Sequence, residues 1–164
     1  MQEDPGLHFV TTAYIVKDEA VLLVFHRGLQ KWLAPGGHVR PGETPDDCIY
    51  REVVEETGLN IRLMDGDGNQ RSYPGDGVTL LARPIAVQLE TITAETQHVD
   101  FVYAAVALKE DHVVLSTREL HNAQWFSSAA LSSDQTIPTN VRTIAMKALV
   151  LVGADRRAHP AGSS

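Results

Sequence analysis

The chain has 164 residues, 43% of them hydrophobic, enough for one domain with a real core. Its 14 Lys and Arg against 21 Asp and Glu leave a net charge of −7, which disfavours any function built on blanketing nucleic-acid phosphates with basic side chains. A phosphorylated substrate then calls for a cation to bridge two negative partners, and the single cysteine, Cys48, excludes a disulfide framework or a cysteine-rich zinc site and fits a reducing compartment.

The N-terminal MQEDPG has neither a basic region nor an apolar one, so it does not read as a secretory signal. No apolar run approaches the roughly 20 residues of a membrane span. Leu7 to Val16 and Val21 to His26 read as strands joined by a turn at Lys17-Asp18-Glu19. Trp32 to Ala34 is a short strand stopped by a glycine turn at Pro35-Gly36-Gly37. After a second turn, Arg40 to Glu43, Thr44 is an N-cap followed by proline at the first helical position. The helix runs from Asp46 to Thr57 with Cys48, Ile49, Val53 and Val54 as its apolar stripe, and Gly58 closes it. Asn60 to Met64 resumes strand character, and Asp65 to Gly77 is a long turn-forming insertion. Val78 to Glu90 and His98 to Leu108 are two longer strands, with Glu95 in the loop between them, and Ala123 to Phe126 is a last short one. Pro138 to Val152 repeats apolar residues at helical spacing, and residues 153–164 read as a flexible tail. Without repeats or a linker, this is one α+β domain.

The chemistry concentrates in Gly37 to Leu59. Glu52, Glu55 and Glu56 stand at i, i+3 and i+4, within about 100° of one another around a helix. Three carboxylates on one stripe repel unless a cation sits among them, and hard oxygen ligands suit Mg²⁺ or Mn²⁺. Arg51 is placed to orient one of them, and the carbonyls of the glycine turn can face the same stripe. Such a cation binds phosphate oxygens and acidifies a bound water. Taken alone, REVVEE would be an ordinary solvated helix face.

It does not stand alone. The segment reads G-x5-E-x7-R-E-U-x-E-E-x-G-U, with Val53 and Leu59 at the aliphatic U positions, and so resembles the signature box of the Nudix hydrolases. Agreement at all nine positions by chance is on the order of 10⁻⁸ for a chain this long. Lys31 to Gly37 is similar to the strand and turn leading into that box, and Gln124-Trp125-Phe126 with Leu131 to the family's closing strand and next helix. The resemblance implies a Nudix fold over residues 7–152, a mixed β-sheet sandwiched between helices. It implies Glu52, Glu55 and Glu56 as ligands of Mg²⁺ or Mn²⁺, helped by the Gly37 carbonyl and by Glu43 directly or through water. It further implies Arg51 as the residue holding a box glutamate in place. The implied reaction is attack by water on phosphorus in a nucleoside diphosphate linked to another moiety.

The general base is Glu55 or Glu52 in one type of family member and a later residue in another, for which Glu90, Glu95, His98 and Asp100 are the candidates here. His98 and Asp100 alternate on one strand and share a face, either at the reaction centre or as an edge pair capping the Glu95 loop. Arg27 is a candidate phosphate clamp, and Trp32 a candidate stacking surface or a core residue. Tyr103, Trp125 and Cys48 read as core. Pro74, fifteen positions past Leu59, resembles the mark of ADP-ribose pyrophosphatases, and Tyr73 falls one position earlier, short of the spacing of dinucleoside polyphosphate hydrolases. The expected partner is a small nucleotide-derived substrate, with no membrane and no nucleic acid, in the cytoplasm, and with the terminal helix as the surface for a homodimer. A nucleotide sensor without catalysis and an RNA-processing enzyme of the decapping type are the competing functions.

Overall fold

The computed structural model describes residues 4–64, 72–73, 77–108, 112–116 and 120–158, with the side chains of 72–73 and 120–121 left aside. Strand β1 (Gly6–Lys17) and β2 (Ala20–His26) form a hairpin in which Lys17 pairs with Ala20. Asp18 and Glu19, the two loop residues, have φ of 47° and 62°, the left-handed pair that a tight hairpin's twist requires.

β3 (Lys31–Leu33) folds back on β2, and β4 (Gly36–His38) pairs antiparallel with β1. The glycines read from sequence as a turn are therefore strand residues. What demands glycine there is close approach: a Cβ on Gly36 would lie 2.0 Å from the Thr11 carbonyl oxygen. The Arg40–Glu43 turn does form, with Pro41 and Gly42 (φ 86°) at its centre and the Glu43 N–H bonded to the Arg40 carbonyl at 3.0 Å.

Helix α1 (Pro45–Thr57) begins as the sequence indicates. The Thr44 hydroxyl accepts from the Asp47 N–H, the Asp47 carboxylate accepts from the Thr44 N–H, and Gly58 ends the helix at φ 70°. Cys48, Ile49 and Val53 are buried, whereas Val54 is half exposed and leaves the stripe.

β5 (Ile61–Leu63) joins the sheet edge, and β6 (Ser72–Tyr73) with β7 (Val78–Thr79) forms a separate ribbon. Most of the insertion, including Pro74, lies outside the described residues. The single strand expected over Val78 to Glu90 is two elements, since β8 (Ala86–Thr91) starts only after Pro84, which has no N–H to give a ladder. β9 (Thr96–Ala107) and β10 (Leu120–Ser127) are both longer than expected. Two helices follow, α2 (Ser128–Ser133) and α3 (Thr139–Ala158). The last one continues six residues past Val152, so Gly153 to Ala158, expected in the tail, are helical, and residues 159–164 lie outside the described ones.

The main sheet runs β10-β2-β1-β9-β5, with β3, β4 and β8 attached to β2, β1 and β9. Among the described residues only β1 and β9 pair in parallel, in register from Gly6 with Thr96 to Val16 with Val106. Side chains alternate across this sheet and build two cores. Ala13, Ile15 and Tyr103 pack with Ile49 and Val53 of α1, while Tyr14, Val16, Val102 and Ala104 pack with Val141, Ile144, Ala145 and Ala148 of α3. The mixed sheet sandwiched between helices is the fold observed. Among the described residues, no helix is long and apolar enough to cross a membrane.

Candidate active site

α1 lies against β1 and β4, so the outward stripe of the helix faces the glycine strand. The packing is close at one point. A Cβ on Gly37 would fall 2.4–2.7 Å from the Glu52 carboxyl group, so glycine leaves the space that this carboxylate fills. One turn along, the Gly36 N–H donates to Glu56 Oε2 at 3.1 Å. Two of the three box glutamates thus rest on two successive residues of β4.

Arg51 ties the rest together. Its side chain is largely buried, and its guanidinium donates to both oxygens of Glu43, to Glu52 Oε1, to Glu55 Oε2 at 3.1 Å and to the His38 carbonyl at 3.1 Å. Arg40 adds a second contact to Glu55 at 3.4 Å. The Arg51 bonds, with the Arg40 N–H, hold the Glu43 carboxyl down at about 2, well below its ordinary 4.5. The same carboxylates push the guanidinium further up, so Arg51 is a fixed positive charge. Beneath it the Cys48 thiol, buried, contacts the Gly37 and His38 carbonyls at 3.6 and 3.3 Å and accepts from the Thr11 hydroxyl. Burial pushes that thiol's pKa up, so Cys48 is an inert neutral wedge.

The donor set fits a hard divalent cation in kind: Glu52, Glu55 and Glu56 offer only oxygen, with the Gly37 carbonyl alongside. In the arrangement shown, Glu52 and Glu55 are bonded to Arg51 and Glu56 to the Gly36 N–H, and among the described residues no three acidic or histidine side chains converge tightly enough to hold an ion. Glu55, about half exposed, is the most open of the three.

The other candidates separate into two groups. His98 and Asp100 do share a face of β9, the α3 side, and both are buried. Asp100 Oδ2 accepts from the Thr12 hydroxyl at 2.9 Å and from Gln88 at 3.4 Å, while Oδ1 is buried without a hydrogen bond. Burial raises this carboxyl to about 6. His98 packs edge to face with His38, ring centroids 5.0 Å apart, and His8 lies 5.6–6.0 Å from both. Glu90 faces His98 across the β8–β9 ladder. Trp32 packs edge-on between Phe25 and Phe126 at the border of the α3-side core. Arg27 lies exposed beyond the end of β2, and Glu95 is exposed in the β8–β9 turn, where its carbonyl accepts from the Gly6 N–H.

Sequence reasoning passed over Arg40, His38, Thr12 and Gln88. Arg40 carries a local signal, since it closes the turn leading into α1; the other three become neighbours only through the β4–β1–β9–β8 register.

Comparison with known proteins agrees with this geometry. A family model described as the NUDIX domain matches residues 7–146. A crystal structure of a NUDIX-family hydrolase from Clostridium perfringens superposes with a TM-score of 0.80 at 33% identity, over 88% of this chain and 97% of that one. The MutT protein of Methanosarcina mazei Go1, at 20% identity and a TM-score of 0.63, shares the fold over 96% of this chain and 99% of its own. Two similarities are partial. An isopentenyl-diphosphate Delta-isomerase of Corynebacterium diphtheriae is 36% identical over 88 residues, 46% of this chain and 48% of its own. An RNA pyrophosphohydrolase of Yersinia enterocolitica is 39% identical over 56 residues, 32% of each. The chain thus spans less than half the length of these curated relatives. With the box glutamates seated on the glycine strand and the domain matched from the first strand into the last helix, the chain belongs to the Nudix hydrolase family.

Proposed function

We infer that the chain is a pyrophosphohydrolase using a divalent cation, Mg²⁺ or Mn²⁺, to cleave a phosphoanhydride bond in a nucleoside diphosphate linked to another moiety. The observation that carries this reading is the carboxylate stripe of α1, knitted by Arg51 and seated on Gly36 and Gly37. A lone solvated helix face has no reason to bury an arginine among three carboxylates.

Glu52, Glu55 and Glu56 are the residues to hold the cation, with the Gly37 carbonyl beside them and Glu43 supporting from behind. Bound there, the cation neutralises phosphate charge and acidifies water. Arg51 holds Glu43, Glu52 and Glu55 in fixed mutual orientation, work that needs a planar fork with several donors. Both Glu55 and Glu52 are bonded to Arg51, and Glu55 is our choice of general base, supported by its greater exposure at the mouth of the stripe.

The substrate is a small nucleotide derivative. One partial relative is named a pyrophosphohydrolase, which supports the bond type and not the identity of the attached group, while the other, an isomerase, has in common only a diphosphate in its name. The test is a panel of nucleoside triphosphates, nucleotide sugars and dinucleotides, incubated with Mg²⁺ or Mn²⁺. Release of nucleotide or phosphate is the expected result, and silence across the panel overturns the reading. Tight nucleotide binding by calorimetry without product would favour the sensor instead. In addition, Glu55→Gln and Glu56→Gln each lose at least about 100-fold in kcat with the fold retained. Near-normal turnover in both removes the metal assignment.

A further inference from the structure

The end of the sheet built from the first halves of β1 and β9 and from β8 has two unlike faces. On the α3 side it carries His8, His98, Asp100, Gln88 and Glu90. On the α1 side, the registers place three rows of side chains side by side: Leu7, Gln97 and Thr91; Phe9, Val99 and Leu89; Thr11, Phe101 and Val87. None of the nine carries a charge, in a chain where 21% of residues do. Leu7, Phe9, Val87 and Leu89 are each more than half exposed, and the Phe9 and Phe101 rings meet 6.1 Å apart in the middle. Monomeric proteins seldom leave contiguous apolar patches above about 300–600 Å² unless something binds there.

The patch ends at β8, which pairs only with β9 among the described residues and so forms an edge of the sheet. Edges left open are normally blunted by proline, a bulge or a charge directed to the exposed face. β8 has no proline and no register shift, and its exposed face reads Val87, Leu89, Thr91.

We propose that this edge and the apolar face beside it are where a second copy of the chain docks, β8 against β8 about a two-fold axis, continuing the sheet from one protomer to the other. A two-fold contact must complement itself, and a neutral apolar surface does so where a charged one repels. With each copy carrying −7, the uncharged rows are where two copies approach at least cost. A stable interface buries roughly 800 Å² per partner, and here the edge hydrogen bonds and the apolar rows act together. α3 is the weaker surface: its large exposed hydrophobics are Val150 and Leu151, close to Asp155, Arg156 and Arg157.

Light scattering after size exclusion, at micromolar protein, decides this. The chain is expected at twice its 17.9 kDa. The double variant Val87→Asp, Leu89→Lys is expected at the monomer mass with an unchanged circular-dichroism spectrum, since both side chains are solvent-facing. Val150→Asp with Leu151→Asp is expected to leave the dimer intact. A monomeric parent chain, a dimer surviving the β8 variant, or one lost only with the α3 variant overturns the proposal. Hydrogen exchange on the unaltered chain gives an independent reading: β8 amides gain protection as concentration rises, and concentration-independent exchange there overturns it equally.

Discussion

Arg51 is the residue on which the site's electrostatics turn. It is mostly buried, and its donors serve Glu43, Glu52, Glu55 and a backbone carbonyl, so its loss strands several carboxylates near one another. Arg51→Ala is expected to cost on the order of 3 kcal/mol in urea denaturation, because removing one partner of an enclosed ion pair leaves its mates uncompensated. Arg51→Lys keeps the charge but not the fork, and at least a tenfold fall in kcat with much of the stability retained is the expected outcome. Gly37→Ala acts sterically. Its Cβ collides with the Glu52 carboxyl group, a flexible side-chain end, so the chain folds while Glu52 is displaced and turnover falls by on the order of 100-fold. Normal turnover in that variant would show that Glu52 need not sit where it does.

Two carboxyls give stability opposite dependences on pH. Glu43 falls from 4.5 to about 2 on folding, so its contribution is present above 4.5 and lost as pH drops toward 2. Asp100 rises from 3.8 to about 6, so the folded state holds its proton more tightly, and stability declines as pH climbs between those values. Asp100→Asn removes that decline. Melting temperatures of variant and parent should diverge in the variant's favour from pH 4 to pH 6; parallel curves would count against the buried, proton-holding carboxyl.

At the scale of elements, helix α1 was readable because its signals are local. Thr44, Pro45, Asp47 and Gly58 each act within one turn of their own position, and all do what their chemistry suggests. Thr44→Ala is expected to cost about 1 kcal/mol by denaturant titration, as the loss of an N-cap does. The carboxylate stripe was legible for the same reason, since i, i+3 and i+4 need only a helix. The Gly36-Gly37 strand was not legible. Glycine next to proline reads as a turn, and only the approach of the Thr11 carbonyl and the Glu52 carboxylate, both distant in sequence, explains it. Asp100 likewise gains its partners from β1 and β8. The β1–β2 turn carries a stabilising opportunity. Asp18 and Glu19 adopt left-handed φ that glycine and asparagine tolerate better, so Asp18→Asn with Glu19→Gly should raise stability by about 1 kcal/mol. No gain on thermal melting would mean that the side chains now present compensate for the strain.

Across the whole molecule, the sheet separates two tasks. α1 and β4 present the acidic site on one side, and α3 closes the larger core on the other. The surplus of acidic residues is partly local, since Glu43, Glu52, Glu55 and Glu56 cluster there with Arg51 as their internal counter-charge.

The parallel pairing of β1 with β9 has a consequence for how the chain is made. β1 is the centre of the sheet, flanked by β2 and β9, and it holds residues of both cores. Its parallel partner begins only at Thr96, so a ribosome delivering about 5–20 residues per second leaves one long edge of a hydrophobic strand unsatisfied for several seconds. The β1–β2 hairpin and α1 can form during that wait, but neither core closes until β9 inserts. Assembly of this domain is therefore governed by a late, long-range event, and its nascent chain is most prone to clumping just before that strand emerges.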